Sequence, residues 1–144
     1  GMGLLDADTV FMDGKTRTQV TGRVTGGEGI FAGLKGAELE GYEIHMGRTS
    51  SSLPGLLTVS DGSTVKSDGL TRGNIWGSYI HGIFDKASFA DAFVGCILRS
   101  KGLDSTTGAV DWNEYKMQQY DVLAEGVRNA LDMDMLMRIL EKRD

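Results

Sequence analysis

The sequence has little of what several classes of protein depend on. Its 144 residues include one cysteine, so no internal disulfide can form and nothing indicates an oxidising compartment. No apolar run approaches the ~18 residues of a membrane span, and no secretory signal is visible. The net charge is −5 and the pI is near 5.0, with the basic residues dispersed, which argues against nucleic acid or an anionic membrane as the main partner. We therefore expect a cytoplasmic protein.

Proline is also scarce, with one residue, whereas glycine is abundant. The 21 glycines are about twice the average share of ~7%. Because 40% of the residues are hydrophobic, the composition is not that of a disordered chain. It indicates short strands joined by tight turns. The length fits one domain with a core of its own, which we assign to residues 3–144.

The order of the patterns predicts an α/β or α+β fold, with a mixed, largely antiparallel sheet followed by three helices. Residues 3–13 are expected to form a loop or a 3₁₀ turn that enters a strand. Strands are predicted at residues 15–25, 37–46, 56–60 and 75–81. Helices are predicted to begin at Asp85, at Asp111 and near Asp132.

The last two predicted helices carry apolar residues at helical spacing, and we expect these residues to be buried. The first stripe consists of Met117, Tyr120, Ala124, Val127 and Leu131, and the second of Met133, Leu136, Met137 and Leu140.

The first candidate for chemistry is His81. Residues 75–81 are rich in aromatic and β-branched side chains, which predicts a central strand that is covered on both faces. His81 stands at the carboxyl end of that strand, where open α/β sheets bind ligands. Gly82 then allows a sharp turn. The alternative is a hydrogen-bonded, inert histidine that merely ends a strand, and this segment alone favours neither.

The second candidate is the segment 41–49. Strand alternation places Glu43 and His45 on one face and Tyr42 on the other. Gly47 allows close approach of the backbone, and Arg48 is suited to bind a carboxylate through two hydrogen bonds. The residues alone favour the simpler alternative, an ordinary half-exposed strand with a salt bridge.

Other chemistries have weak support. Cys96 lies on an apolar helical stripe, where a thiol behaves as a small hydrophobic group rather than a nucleophile. The two histidines have no neighbouring ligand cluster, so no metal site is predicted.

Three segments together resemble a known family. GYEIHMGRT at 41–49, DG at 68–69 and IWGSYIHGIFD at 75–85 are similar to the C-terminal half of the amidotransferase domain of cobyric acid synthases, and residues 3–11 and 120–140 extend the resemblance. The related cobyrinate diamide synthases have similar patterns.

The resemblance implies a class I glutamine amidotransferase-like fold and a role for His81. In such enzymes a cysteine attacks the amide of glutamine, and a histidine acts as general base and then as general acid. His81 matches that histidine. Most class I domains continue with Pro-Glu, whereas Gly82 and Ile83 follow here, as is typical of the cobalamin branch.

The resemblance also implies that residues 3–144 are a partial domain, with the half that bears the nucleophile upstream. The parent reaction is ATP- and glutamine-dependent amidation of adenosylcobyrinic acid a,c-diamide in cobalamin biosynthesis, so glutamine and a corrinoid are the implied substrates. ATP and Mg²⁺ would be used by a separate synthetase domain, and no cofactor would bind this segment. Substrate-binding roles fall to Tyr42, Glu43, His45 and Arg48.

Two further expectations follow from a partial domain. Alone, the chain would lack glutaminase activity, and the alternative function is a non-catalytic remnant that binds a partner or ligand. An exposed sheet edge would favour a homodimer.

Overall fold

The computed structural model describes residues 2–104 and 108–141. It divides into two compact units, Gly1–Ala109 and Val110–Asp144, each described below by itself. Within these described residues, the first unit contains six strands, a 3₁₀ helix at Gly29–Leu34 and one α-helix, and the second contains two α-helices. The strands are β1 (Asp8–Val24), β2 (Glu38–Ser50), β3 (Gly55–Ser60), β4 (Val65–Arg72), β5 (Ile75–Gly77) and β6 (Ile80–His81), and the α-helices are α1 (Ala87–Ser100), α2 (Trp112–Ala130) and α3 (Met133–Glu141).

The six strands form one sheet in the order β5-β4-β3-β1-β2-β6, and every pair is antiparallel. The two edge strands are consecutive in the chain, because only Ser78 and Tyr79 separate β5 from β6. Three Cα steps span at most ~11 Å, so the two edges of the sheet lie close together. The sheet is therefore strongly curled. The prediction of a sheet followed by C-terminal helices is confirmed.

The prediction of one central buried strand over residues 75–81 is wrong. The segment is split between the two opposite edges of the sheet, and β5 is only half-buried. Ser78 lies at the break, where its hydroxyl donates to Asp68 Oδ2 at 2.5 Å and accepts from the backbone N–H of Ile80 at 3.0 Å. The Ser78 hydroxyl thus accepts from a backbone N–H that would otherwise be available for a hydrogen bond between strands.

Two other strand predictions were also wrong. β1 already begins at Asp8, where a loop or 3₁₀ turn was expected, and it is interrupted by a bulge between Phe11 and Thr16. The alternation before Lys15 is broken by aspartates, which hid this part of the strand. β4 was missed because its Asp68-Gly69 pair is a strong turn signal. Here Gly69 takes a positive φ of 72° within the strand.

Two of the three predicted helix starts are confirmed. The Asp111 carboxylate accepts from the backbone N–H groups of Asn113 and Glu114, as its capping pattern predicts. Asp132 likewise caps α3 through the backbone N–H of Met135 at 2.9 Å. The remaining helix, α1, begins at Ala87, and its N-cap residue is Lys86 rather than Asp85.

The core of the first unit lies between the sheet, the 3₁₀ helix and α1. The prediction that Cys96 is a core residue is confirmed, since it is 4% exposed. Trp76 of β5 stacks on the rings of Phe31, Phe89 and Phe93, which ties β5 to both helices. The buried apolar side chains are Val20, Val24, Phe31, Leu34, Leu39, Leu56, Leu57, Val59, Ile80, Ile83, Phe89 and Cys96.

The second unit contradicts the predicted burial of its stripes. None of the described residues of α2 and α3 is buried, and Leu136 is 38% exposed. Helical spacing of apolar residues predicts a helix, but it does not supply the surface that would cover them. Over residues 2–104 and 108–141, no helix is long and apolar enough to cross a membrane.

Candidate active site

His81 ends β6, and the register places it directly opposite Tyr42 of β2. Residues opposite each other in an antiparallel pair project from the same face of the sheet. Both side chains are exposed. Within the part of the chain that the structure describes, neither ring nitrogen of His81 takes part in a hydrogen bond or ion pair. The imidazole is therefore open to an incoming group.

Gly82 turns the chain immediately after His81. Its φ of +73° lies in the left-handed region that favours glycine. The turn is closed by the backbone N–H of Asp85, which donates to the carbonyl of Gly82 at 2.9 Å. A Cβ at position 82 would also lie 2.8 Å from Oδ2 of Asp85. A glycine is thus required where the histidine strand ends.

His45 has a different environment. Its Nε2 lies 2.7 Å from Oε1 of Glu43, and its Nδ1 lies 2.6 Å from the carbonyl oxygen of Gly47. The ring of Tyr79 stacks on the imidazole with 4.1 Å between ring centroids. The Tyr79 hydroxyl is in turn hydrogen-bonded to Thr49 at 2.5 Å. Both nitrogens and one face of the His45 ring are therefore occupied.

The carboxylate of Glu43 is the centre of this network. Glu43 is 3% exposed, and Lys66 Nζ lies 2.7 Å and 2.6 Å from its two oxygens. Burial raises the pKa of Glu43, but the hydrogen bonds from Lys66 and His45 outweigh burial and hold the pKa below its ordinary value of 4.5. Glu43 is thus an anion at neutral pH, where it accepts hydrogen bonds from Lys66 and lies against Nε2 of His45.

Sequence reasoning missed Lys66. The residue lies on β4, which was not predicted, and β3 and β1 separate its strand from β2 in the sheet. The contact with Glu43 therefore spans the concave side of the curled sheet. No local pattern signals such a contact. A buried carboxylate requires a partner, but the burial of Glu43 is known only from the structure.

A cavity of about 1040 Å³ lies beside the network. Glu43, His45, Lys66 and Tyr79 contribute to its wall, and Arg48 lines it farther along β2. Five glycines also line it, namely Gly14, Gly47, Gly55, Gly69 and Gly77. A cavity of this size with a few convergent polar groups is suited to a small organic ligand.

The sheet separates the predicted site residues into two groups. Glu43 is paired with Ile80 and Tyr42 with His81, so Glu43 and His81 project from opposite faces. Tyr42 is the only predicted wall residue directly opposite His81. Glu43, His45 and Arg48 contribute to the cavity, whereas His81 and Tyr42 do not line it. No group of three His, Cys, Asp or Glu side chains in the described ranges could hold a metal ion.

The comparisons with known proteins identify the class of domain. Residues 1–89 match the model of the CobB/CobQ-like glutamine amidotransferase domain, and this range includes both histidine segments. The chain therefore belongs to the CobB/CobQ-like glutamine amidotransferase family.

Individual relatives give a more particular likeness. The chain is 40% identical to a cobyric acid synthase of Ruminiclostridium cellulolyticum over 99% of its own length. Cobyric acid synthases of Thermoanaerobacter sp. and Citrobacter koseri are each 35% identical over the same share. The chain spans 29%, 30% and 29% of the length of these three relatives.

Proposed function

We propose that this chain is part of the glutamine amidotransferase domain of a cobyric acid synthase and that His81 is its catalytic general base and acid. The parent reaction is ATP- and glutamine-dependent amidation of peripheral carboxylates of adenosylcobyrinic acid a,c-diamide. The proposal rests on the family match and on the names of the relatives. This chain covers only 29–30% of the length of those relatives. The statement that it takes part in the activity of a whole cobyric acid synthase therefore belongs to the proposal.

The difference between the two histidines is the observation that carries the proposal. A general base must bring a free ring nitrogen within hydrogen-bond reach of the proton that it removes. His45 has both nitrogens committed to Glu43 and Gly47. His81 is exposed, ends its strand and precedes a turn that only glycine adopts easily. His81 is thus the histidine that a nucleophile and a substrate amide could approach.

The proposed reaction has two proton transfers at the His81 ring. The imidazole takes the proton of a cysteine thiol as sulfur attacks the amide carbon of glutamine, and it returns a proton to the departing nitrogen, so that ammonia leaves and a glutamyl thioester remains. Water then hydrolyses the thioester and restores the thiol. Cys96 is buried in the core, so we assign the nucleophile to another part of the enzyme.

The remaining predicted residues receive supporting roles. Tyr42, opposite His81, would contact the bound glutamine, and Arg48 would bind a substrate carboxylate at the cavity. Glu43 and His45 would hold the cavity wall in shape. The described residues offer no carboxylate set that fits Mg²⁺.

The architecture of the parent is also part of the proposal. Residues 3–144 would form one part of a class I amidotransferase fold in the cytoplasm, completed by a half that bears the cysteine. A homodimer of the chain alone would form by pairing at a sheet edge, as an exposed edge would favour. The two edge strands of the described sheet, β6 with two residues and β5 with three, are short and offer few backbone groups for such pairing.

The test uses a full-length cobyric acid synthase in which the histidine equivalent to His81 is changed to asparagine. Glutamine-dependent amidation should be abolished, while amidation with free ammonia should persist because ammonia bypasses the thioester. The matched control changes the equivalent of His45 to asparagine and should leave glutamine hydrolysis weakened but measurable. If glutamine use is lost in the His45 variant and not in the His81 variant, the base lies on β2 and the assignment to His81 is wrong.

The cavity supports a second candidate, a non-catalytic module that binds a ligand or partner through its concave side. This function does not need a free imidazole on β6. A His81-equivalent variant that retains glutamine use would favour it.

A further inference from the structure

We infer that Gly41 is a positioning residue for His81, because the absence of a side chain at position 41 sets where β6 lies against β2. The inference rests on the proposed role of His81. Gly41 is buried in β2, one residue before Tyr42, and is paired with Val20 of β1 on its other side.

The strand that carries His81 has few attachments of its own. β6 contains two residues, and only two residue pairs join it to β2, Tyr42 with His81 and Glu43 with Ile80. Ile80 is buried in the core, which gives the strand one packed side chain. The position of the His81 backbone therefore depends on how closely β6 approaches β2.

Gly41 faces the backbone of β6 directly. A Cβ placed on Gly41 would meet the backbone carbonyl oxygen of His81 and would lie 2.6 Å from Cγ2 of Ile80. Carbon atoms pack at about 3.5–4.0 Å, so both contacts would be collisions. The His81 carbonyl belongs to the main chain and cannot rotate away. Adding one methyl group would therefore displace the backbone of His81 itself.

Another glycine of the same sheet provides a matched control. A Cβ on Gly22 of β1 would lie 2.6 Å from the carbonyl oxygen of Thr58 and 2.8 Å from Cγ1 of Val59. The collision is similar, but it displaces β3, which is separated from β6 by two strands. Gly22→Ala thus disturbs the sheet without moving the histidine strand.

The first test uses this chain and measures amide hydrogen exchange of Gly41→Ala and Gly22→Ala. Gly41→Ala should increase exchange of the His81 amide, which lies opposite Tyr42, about ten-fold or more, with exchange in α1 unchanged. Gly22→Ala should leave the His81 amide as it is in the parent chain. Equal protection of His81 in the parent chain and in Gly41→Ala would overturn the inference.

The second test makes the equivalent changes in a full-length cobyric acid synthase. A displacement of ~1 Å at a reacting group can cost about 100-fold in rate, so the Gly41 variant should lose about that factor in glutamine-dependent kcat. Its ammonia-dependent activity should not change, and the Gly22 variant should keep the parent ratio of the two activities. A parallel fall of both activities in the Gly41 variant would show a merely structural role and contradict the inference.

If Gly41→Ala does not fold, Ile80→Ala replaces it, because this change loosens the packing of β6 without crowding. It should give the same selective loss of glutamine use, and retention of glutamine use would overturn the inference.

The outcome of these tests is separable from the outcome for the proposed function. If the His81-equivalent change spares glutamine use, the proposed function fails. If that change abolishes glutamine use but the Gly41 variant retains it, only the positioning role fails.

Discussion

His45 and His81 lie on paired strands of one sheet but in opposite environments. His45 is on the cavity side, with both ring nitrogens bonded and Tyr79 stacked on its face. His81 is on the other side, exposed at the end of the shortest strand. The two segments look alike in sequence, since each has a histidine close to a glycine. The comparison shows that a histidine motif defines its chemistry only when its hydrogen-bond partners are known.

The largest expected effect comes from removing the carboxylate that fixes His45. Glu43→Ala would leave His45 and Lys66 without their shared acceptor, and the free energy of unfolding should fall by about 3 kcal/mol. This loss is at the lower end of the range for breaking a buried ion pair, because Lys66 is half-exposed and water can hydrate it. Urea unfolding measures the loss.

Glu40→Ala is the matched control for this variant, since Glu40 lies on the same strand and projects from the opposite face. Its effect should stay within about 0.5 kcal/mol. Equal losses in the two variants would mean that the network around His45 contributes no stability. The description of His45 as a histidine held in place by its partners would then be contradicted.

A smaller effect is expected when pH is lowered. The pKa of Glu43 is depressed in the folded chain, because the hydrogen bonds from Lys66 and His45 outweigh the opposing effect of burial. A depressed carboxyl pKa stabilises the folded state above the unfolded value. That stability should therefore be lost as pH falls below about 4.5 and through the lower folded pKa.

Lys66→Met isolates this contribution, because it removes two of the hydrogen bonds that depress the pKa. The unfolding free energy of Lys66→Met should fall less steeply than that of the parent chain as pH is lowered. Asp61 also has a lowered pKa, from hydrogen bonds donated by the backbone N–H groups of Thr64 and Ser63, but it is exposed and unchanged in both proteins. Identical acid profiles of the parent chain and Lys66→Met would contradict the assigned cause.

The smallest effect concerns the ring that covers His45. Tyr79→Phe keeps the stacking but removes the hydrogen bond to Thr49, so the free energy of unfolding should fall by about 1 kcal/mol. Tyr115→Phe in α2 is the control, since Tyr115 is exposed and stacks on Trp112. Its unfolding midpoint should be unchanged. A larger loss at position 115 than at 79 would show that the hydroxyl of Tyr79 does not support the network.

Local patterns predicted the features that depend on neighbouring residues. The cap at Asp111, the burial of Cys96 and the shared face of Glu43 and His45 all follow from spacing within one element. The match to the glutamine amidotransferase family was likewise visible in three short segments, at 41–49, 68–69 and 75–85.

Long-range contacts could not be predicted in the same way. The division of residues 75–81 between two sheet edges depends on Ser78 bonding to Asp68, and the Lys66–Glu43 ion pair depends on the curl of the whole sheet. The apolar stripe around Leu136 was predicted to be buried but is exposed, because its periodicity does not specify a surface that would cover it. These contacts join residues far apart in the chain, and a single sequence contains no signal for them.

The assignment of the catalytic base to His81 depends most directly on the difference in access to the His45 and His81 rings. Diethyl pyrocarbonate acylates unprotonated, accessible imidazole nitrogens, and this chain contains only two histidines. Peptide mapping by mass spectrometry after short exposure near neutral pH would give both rates in one sample. We expect His81 to react at least about ten-fold faster than His45, whose side chain is 19% exposed and bonded at both nitrogens. Equal rates, or faster modification of His45, would contradict the central claim that His81 is the free histidine.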